Sequence, residues 1–169
     1  MQLVVIRHAI AGDQEAFARK TGLPDTERPI TKAGRKIMKR VAKGLRREVK
    51  SIDVLAASPL VRAAQTAAVV SNEYDGMLVE TVPALAQPVP GVLAKWLRTQ
   101  RDADVVAIVG HEPYLGILIT WLMSGLTTSR ASIDKGGVYL LDIERSPGPR
   151  SATLRWALTP EMLEKLSRK

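Results

Sequence analysis

Two short apolar runs, residues 3–6 and residues 104–109, constrain this chain more than any other feature. A strand with one wet face alternates apolar and polar side chains. These runs do not alternate, so both of their faces must be buried. A sheet covered by helices on both sides fits that environment best. The rest of the chain supplies the parts. Further strands are expected at 52–57 and 78–82, and helices at 31–50, 59–73, 92–99 and 113–123. Residues 137–143 and 151–157 read as a closing hairpin around Ser-Pro-Gly-Pro-Arg, followed by a helix at 161–166. Thr31 is placed to cap the first long helix. Residues 11–30, with Gly12, Gly22, Pro24 and Pro29, read as a surface loop, and Pro83, Pro88 and Pro90 punctuate a second loop. The expected fold is a three-layer α/β sandwich, a mostly parallel central sheet with helices on both faces. A length of 169 residues fits one domain spanning 1–169. Aromatic residues are only 4% of the chain, so the core should be aliphatic.

Composition excludes several function classes. With no cysteine there is no disulfide framework, zinc–thiolate site or iron–sulfur cluster. No apolar run is long enough to span a bilayer. The N-terminus lacks the basic start and long apolar stretch of a signal peptide, so a cytoplasmic protein is expected. The net charge of +8 is concentrated: residues 28–50 hold ten basic side chains and one acid, Glu48. Within that segment Ile37, Val41, Leu45 and Val49 recur every four residues, which makes it an amphipathic helix with a basic outer side. Such a side is a solvated face or a docking face for an acidic partner. No aromatic residue is interleaved for stacking on bases, which disfavours nucleic acid.

The chain has only two histidines, His8 and His111, and each falls just past the C-terminal end of an expected buried strand. Ligands of open α/β sheets bind at that edge. His8 follows Arg7. His111 follows Gly110 and precedes Glu112 and Pro113. A third strand end leads through Ser58 and Pro59 to Arg62, in the first turn of a helix expected to begin at Pro59. A helix N-terminus favours anions, and a guanidinium adds a two-pronged phosphate grip. Three strand ends thus bring two arginines and two histidines to one pocket, suited to a dianionic tetrahedral group with an imidazole ready to attack it.

Arg-His-Ala at 7–9, Ser-Pro-Leu-Val-Arg-Ala-Ala-Gln-Thr at 58–66 and Gly-His-Glu-Pro at 110–113 resemble the three separated signatures of the histidine phosphatase superfamily, with its phosphoglycerate-mutase-like fold. Pro29-Ile30-Thr31 and Gly34 resemble the family's helix-opening element. In size and layout the chain is most similar to the single-domain, SixA-like phosphohistidine phosphatases, without a cap domain. The resemblance implies that His8 is the nucleophile of a metal-independent phosphatase and passes through a phosphohistidine. Arg7, Arg62 and His111 would then bind the phosphate oxygens. The implied substrate is phosphohistidine on a partner protein. A phosphatase of small esters or anhydrides and a non-catalytic phosphoprotein-binding module are the alternatives. Two positions depart from the family pattern. Ala9 replaces the usual glycine, so the backbone there is expected to avoid positive φ. Residues 82–87 contain no Asp or Glu where many members supply a general acid. Glu112 is the candidate for that role; the other reading has it complementing the dipole of the following helix.

Overall fold

The computed structural model describes residues 1–87 and 89–168. The apolar runs become the centre of a six-stranded sheet made of β1 (Gln2–Arg7), β2 (Val54–Ala57), β3 (Val79–Thr81), β4 (Val105–Gly110), β5 (Val138–Ile143) and β6 (Ala152–Leu158). The strand order is β3-β2-β4-β1-β5-β6. The four strands β3, β2, β4 and β1 are parallel, while β5 runs against β1, and β6 against β5. Among the described residues six α-helices accompany them: α1 (Gln14–Thr21), α2 (Lys32–Glu48), α3 (Val61–Glu73), α4 (Pro90–Thr99), α5 (Tyr114–Ser124) and α6 (Pro160–Leu166).

Strand pleating divides the core in two. Val4 and Ile6 of β1 face α2, α3 and α6, where Met38, Val41, Leu45, Ala67 and Leu163 are buried. Leu3 and Val5 face α4 and α5, against Leu97, Leu115, Ile119 and Leu122. Each fully buried aliphatic side chain of this size contributes about 2 kcal/mol. The three expected layers are present, and the core is aliphatic. Among the described residues no separate cap stands over the strand ends, and none of the described helices is long and apolar enough to cross a membrane.

The helix opening at 29–34 has a steric cause. Thr31 Oγ1 accepts from Gly34 N at 2.9 Å, and a Cβ on Gly34 would run into the Ile10 carbonyl. Only glycine lets α2 start this close to the segment that follows β1.

Some boundaries differ from expectation. Residues 11–30 are not all loop, because α1 forms there. Asp13 caps it, accepting from Ala16 N at 2.8 Å, and Gly22 closes it at φ +69°. No residue of α1 is buried, so it lacks the apolar period by which a helix is recognised. A single 3₁₀ turn follows at Asp25–Glu27. Helix α3 begins at Val61 rather than Pro59, since Leu60 is still extended at ψ 135°. Pro83 heads a 3₁₀ turn and Pro90 opens α4, two residues before the expected start; Pro88 lies outside the described residues. Pro113 occupies the cap position of α5, one residue ahead of its first helical turn.

Candidate active site

Sheet order decides which strand ends become neighbours. Arg7 at the end of β1 is in register with Gly110 at the end of β4, and Ala57 at the end of β2 with Val109. His8, His111 and Ser58, one residue further along each strand, therefore lie side by side at the C-terminal edge. His8 N donates to Gly110 O at 3.0 Å and Ser58 N to Val109 O at 3.0 Å, which holds both residues to the rigid sheet. The rings of His8 and His111 are 5.1 Å apart between centroids and tilted by 51°.

His8 is 6% exposed. Its Nδ1 lies 2.8 Å from Ala9 O. A carbonyl only accepts, so Nδ1 carries the proton and the ring's lone pair is on Nε2. Ala9 N donates to Thr66 Oγ1 at 3.0 Å, and that hydroxyl donates to Arg62 O at 2.7 Å. One threonine thus ties the segment after β1 to the first turn of α3. Ala9 has no positive φ: among the described non-glycine residues only Asp75 and Arg150 do.

Arg62 is 8% exposed. Its Nη1 donates to Asp25 O at 2.8 Å, and its Nη2 lies 3.1 Å from Asp25 Oδ2. Asp25 also accepts from Arg28 Nε at 2.6 Å, and the two arginines hold its carboxyl below the usual range, Arg28 most strongly. Arg7 donates from Nη1 to Ile133 O at 2.7 Å. His111 Nε2 meets Ser58 Oγ at 2.8 Å. Among the described residues, the buried side-chain nitrogens and oxygens without a partner are Arg7 Nε, Arg62 Nε and His111 Nδ1. Buried polar groups are nearly always paired. Three orphans on the three residues around His8 point to an anionic ligand.

Burial pushes His8 from 6.5 down to about 4, with Arg62, Arg7 and Lys135 adding to the fall and the Ala9 carbonyl opposing it. Burial lowers His111 to about 3, helped by His8 and Arg62. Both rings are neutral at pH 7, and a neutral His8 keeps its lone pair. In an NMR titration neither of the two histidines should titrate between about pH 5.5 and 7.5; a midpoint near 6.5 for either would contradict this electrostatic picture. The folded state binds fewer protons than the unfolded one, so this contribution to stability is complete above pH 6.5. It is lost as pH falls from 6.5 toward about 4 for His8 and about 3 for His111. Urea midpoints between pH 7.5 and 4.5 should fall less for His8→Asn than for the native chain.

Glu112 does not have a free carboxylate. Its Oε1 accepts from Ile133 N at 2.9 Å and its Oε2 from Gly116 N at 3.4 Å, in the first turn of α5. The structure therefore brings Arg7, His8, Arg62 and His111 together and turns Glu112 toward backbone amides beside them. Thr66 closes the signature at 58–66, whereas Asp25 and the Ile133 carbonyl join the site without having been singled out in the sequence. For Asp25 the available signal was an acid three residues before Arg28 in a basic neighbourhood. For a backbone carbonyl there is none.

The model of the histidine phosphatase superfamily (branch 1) matches residues 3–87. An uncharacterised protein of Picosynechococcus is 31% identical over 142 residues, 82% of each chain. The chain belongs to the histidine phosphatase superfamily. Solved structures agree on the fold. The protein histidine phosphatase SixA, complexed with tungstate, has a TM-score of 0.80 at 23% identity, covering 95% of this chain and 97% of that one. The α-ribazole phosphatase of Shigella flexneri reaches 0.76 at 20%, again covering 95% and 97%. A phosphoserine phosphatase of Entamoeba histolytica reaches 0.69 at 12%, covering 96% and 98%. This histidine phosphatase thus has the phosphoglycerate-mutase-like fold, acts through a histidine and takes a phosphorylated substrate.

Proposed function

We propose that His8 is the nucleophile and that the substrate is phosphohistidine on an acidic partner protein. The observation that carries this is the neutral, tautomerically fixed His8 among three buried, unpartnered nitrogens. His8 Nε2 attacks the phosphorus of a phosphohistidine whose free ring nitrogen is protonated, the P–N bond to the substrate breaks, and the substrate imidazole departs as a neutral ring that keeps that proton. Water then attacks the phosphorus on His8. The P–Nε2 bond breaks, both of the water's hydrogens leave with the phosphate, and the neutral ring returns with its Nδ1 proton. Covalent catalysis divides one hard displacement into two easier ones. Arg7, Arg62 and His111 hold the nonbridging oxygens, where charge is stabilised in the transition state. His111 Nδ1 donates to the anion when the Ser58 hydroxyl donates to Nε2. Fixed cations carry the phosphate charge, so turnover should persist in excess chelator.

The leaving group favours a P–N substrate. Residues 82–87 hold no carboxylate, Asp25 is engaged by two arginines, and Glu112 by amides. An ester oxygen needs a proton donor more than an imidazole does. Arg7 also opens onto a cleft of about 520 Å³ whose wall mixes Ile10, Ile37 and Lys135 with the acids Asp134, Glu161 and Glu164, room for a leaving group attached to a larger molecule. On α2, Lys32, Lys36, Lys39, Lys43 and Arg47 are exposed. Among the described residues none of them forms an ion pair, whereas Arg40 and Arg46 do. That stripe suits an acidic protein surface.

The test is a panel of phosphohistidine proteins, aryl phosphates and alkyl phosphates. Phosphohistidine protein should have the highest kcat/KM, and a higher value for a small ester overturns the substrate reading. Replacing Lys36, Lys39 and Lys43 together with alanine should raise KM for an acidic phosphoprotein roughly 10-fold and leave aryl phosphate turnover unchanged. If both substrates respond alike, or neither does, α2 is only a solvated face.

A further inference from the structure

We infer that Glu112 is a positioning residue for Arg7, acting through the backbone of Ile133. The chain of contacts is short and complete. Glu112 Oε1 accepts from Ile133 N at 2.9 Å, and Ile133 O accepts from Arg7 Nη1 at 2.7 Å. The two ends of one residue's backbone are thus held by a carboxylate and a guanidinium. The Ile133 side chain is 1% exposed and anchored in the core beneath α5, so the residue cannot swing away to follow either partner. Close packing fixes the carboxylate as well. A Cβ on Gly116 would run into the Ala131 carbonyl and come within 3.0 Å of Glu112 Oε2. Only glycine lets α5, the 129–133 segment and the Glu112 carboxylate meet. Arg7 leaves its Nε unpartnered, so its remaining hydrogen-bonding capacity is directed by where Ile133 O stands. Misplacing a phosphate clamp by about 1 Å can cost on the order of 10²-fold.

This inference rests on Arg7 binding the phosphate, and two substitutions separate it from proton donation. Glu112→Gln keeps the reach and the Oε1 acceptor but cannot act as an acid. Glu112→Asp keeps the acid but is one methylene short of the Ile133 amide. Tungstate binding should stay within about 3-fold of the native value in Glu112→Gln and weaken roughly 10-fold or more in Glu112→Asp. KM for aryl phosphates should rise in Glu112→Asp by a similar factor, by the same amount for good and poor leaving groups. In an Arg7→Ala background, the Glu112→Gln and Glu112→Asp variants should bind tungstate equally. The opposite pattern, with Glu112→Gln slowed and the loss growing with leaving-group pKa, makes Glu112 the general acid and overturns the inference. So does a Glu112→Asp variant that melts earlier yet binds tungstate normally. If Arg7→Ala alone binds tungstate as the native chain does, the proposed phosphate site fails, a result distinct from either of those.

Discussion

His8→Ala should lose turnover by roughly 10⁴-fold or more, because removing a nucleophile eliminates the covalent path rather than weakening one contact. Rapid quenching of the native protein with labelled substrate should leave label on the chain, labile in acid and stable in alkali, as a phosphorus–nitrogen bond requires. The variant should carry none. The fold should survive. His8 is held largely through its backbone amide to Gly110 O, and its imidazole makes one side-chain hydrogen bond, to the adjoining carbonyl. A circular dichroism melt distinguishes a dead enzyme from an unfolded one. A His8→Ala protein with native activity would remove the mechanism altogether.

Arg62→Ala should lose about 10²–10³ in kcat/KM, the loss expected for one preorganised donor to a developing anion. Tungstate affinity should fall with it. The arginine has a second duty, and a control separates the two. Burial works against the Arg62 charge, and Asp25 offsets that while tying the 3₁₀ turn at Asp25–Glu27 to α3. Asp25→Asn keeps Arg62 and removes the carboxylate, so it should cost less than about 10-fold. Arg62→Lys keeps charge but not the planar fork, and should fall between the two. Equal losses in Asp25→Asn and Arg62→Ala would mean that the tether, not phosphate binding, is what Arg62 supplies.

Much of this site could be read before any coordinates. The apolar residues of 3–6 and 105–109 pointed to strands buried on both faces, as Leu3–Ile6 and Val106–Val109 are, and a parallel sheet turns the C-terminal ends of its strands to one edge. His8 and His111 therefore had to share an edge, with Ser58 and Arg62 at the end of another strand. Gly34 was legible as part of a helix opening, and the structure adds the Ile10 carbonyl as the reason. Helix α1 was missed because it buries nothing, and hydrophobic period is the only strong helix signal a sequence carries. The start of α3 was placed two residues early because Pro59 is compatible with a first turn and equally with the extended segment that precedes it.

Residue types and their spacing determined the layers and the gathering of His8, Arg7, Arg62 and His111 at one edge of the sheet, because apolar pattern decides burial and burial decides topology. Tertiary structure alone decided how those side chains are used. The His8 tautomer depends on the Ala9 carbonyl, the set of Arg62 on Asp25, 37 residues away, and that of Arg7 on a carbonyl 126 residues away. By position Glu112 could donate a proton or complement the dipole of the following helix; only the tertiary structure shows that it accepts from the Ile133 amide, 21 residues further along. Backbone groups are the same in every residue, so no side-chain pattern announces which of them a distant charge will meet; packing two layers on a sheet does.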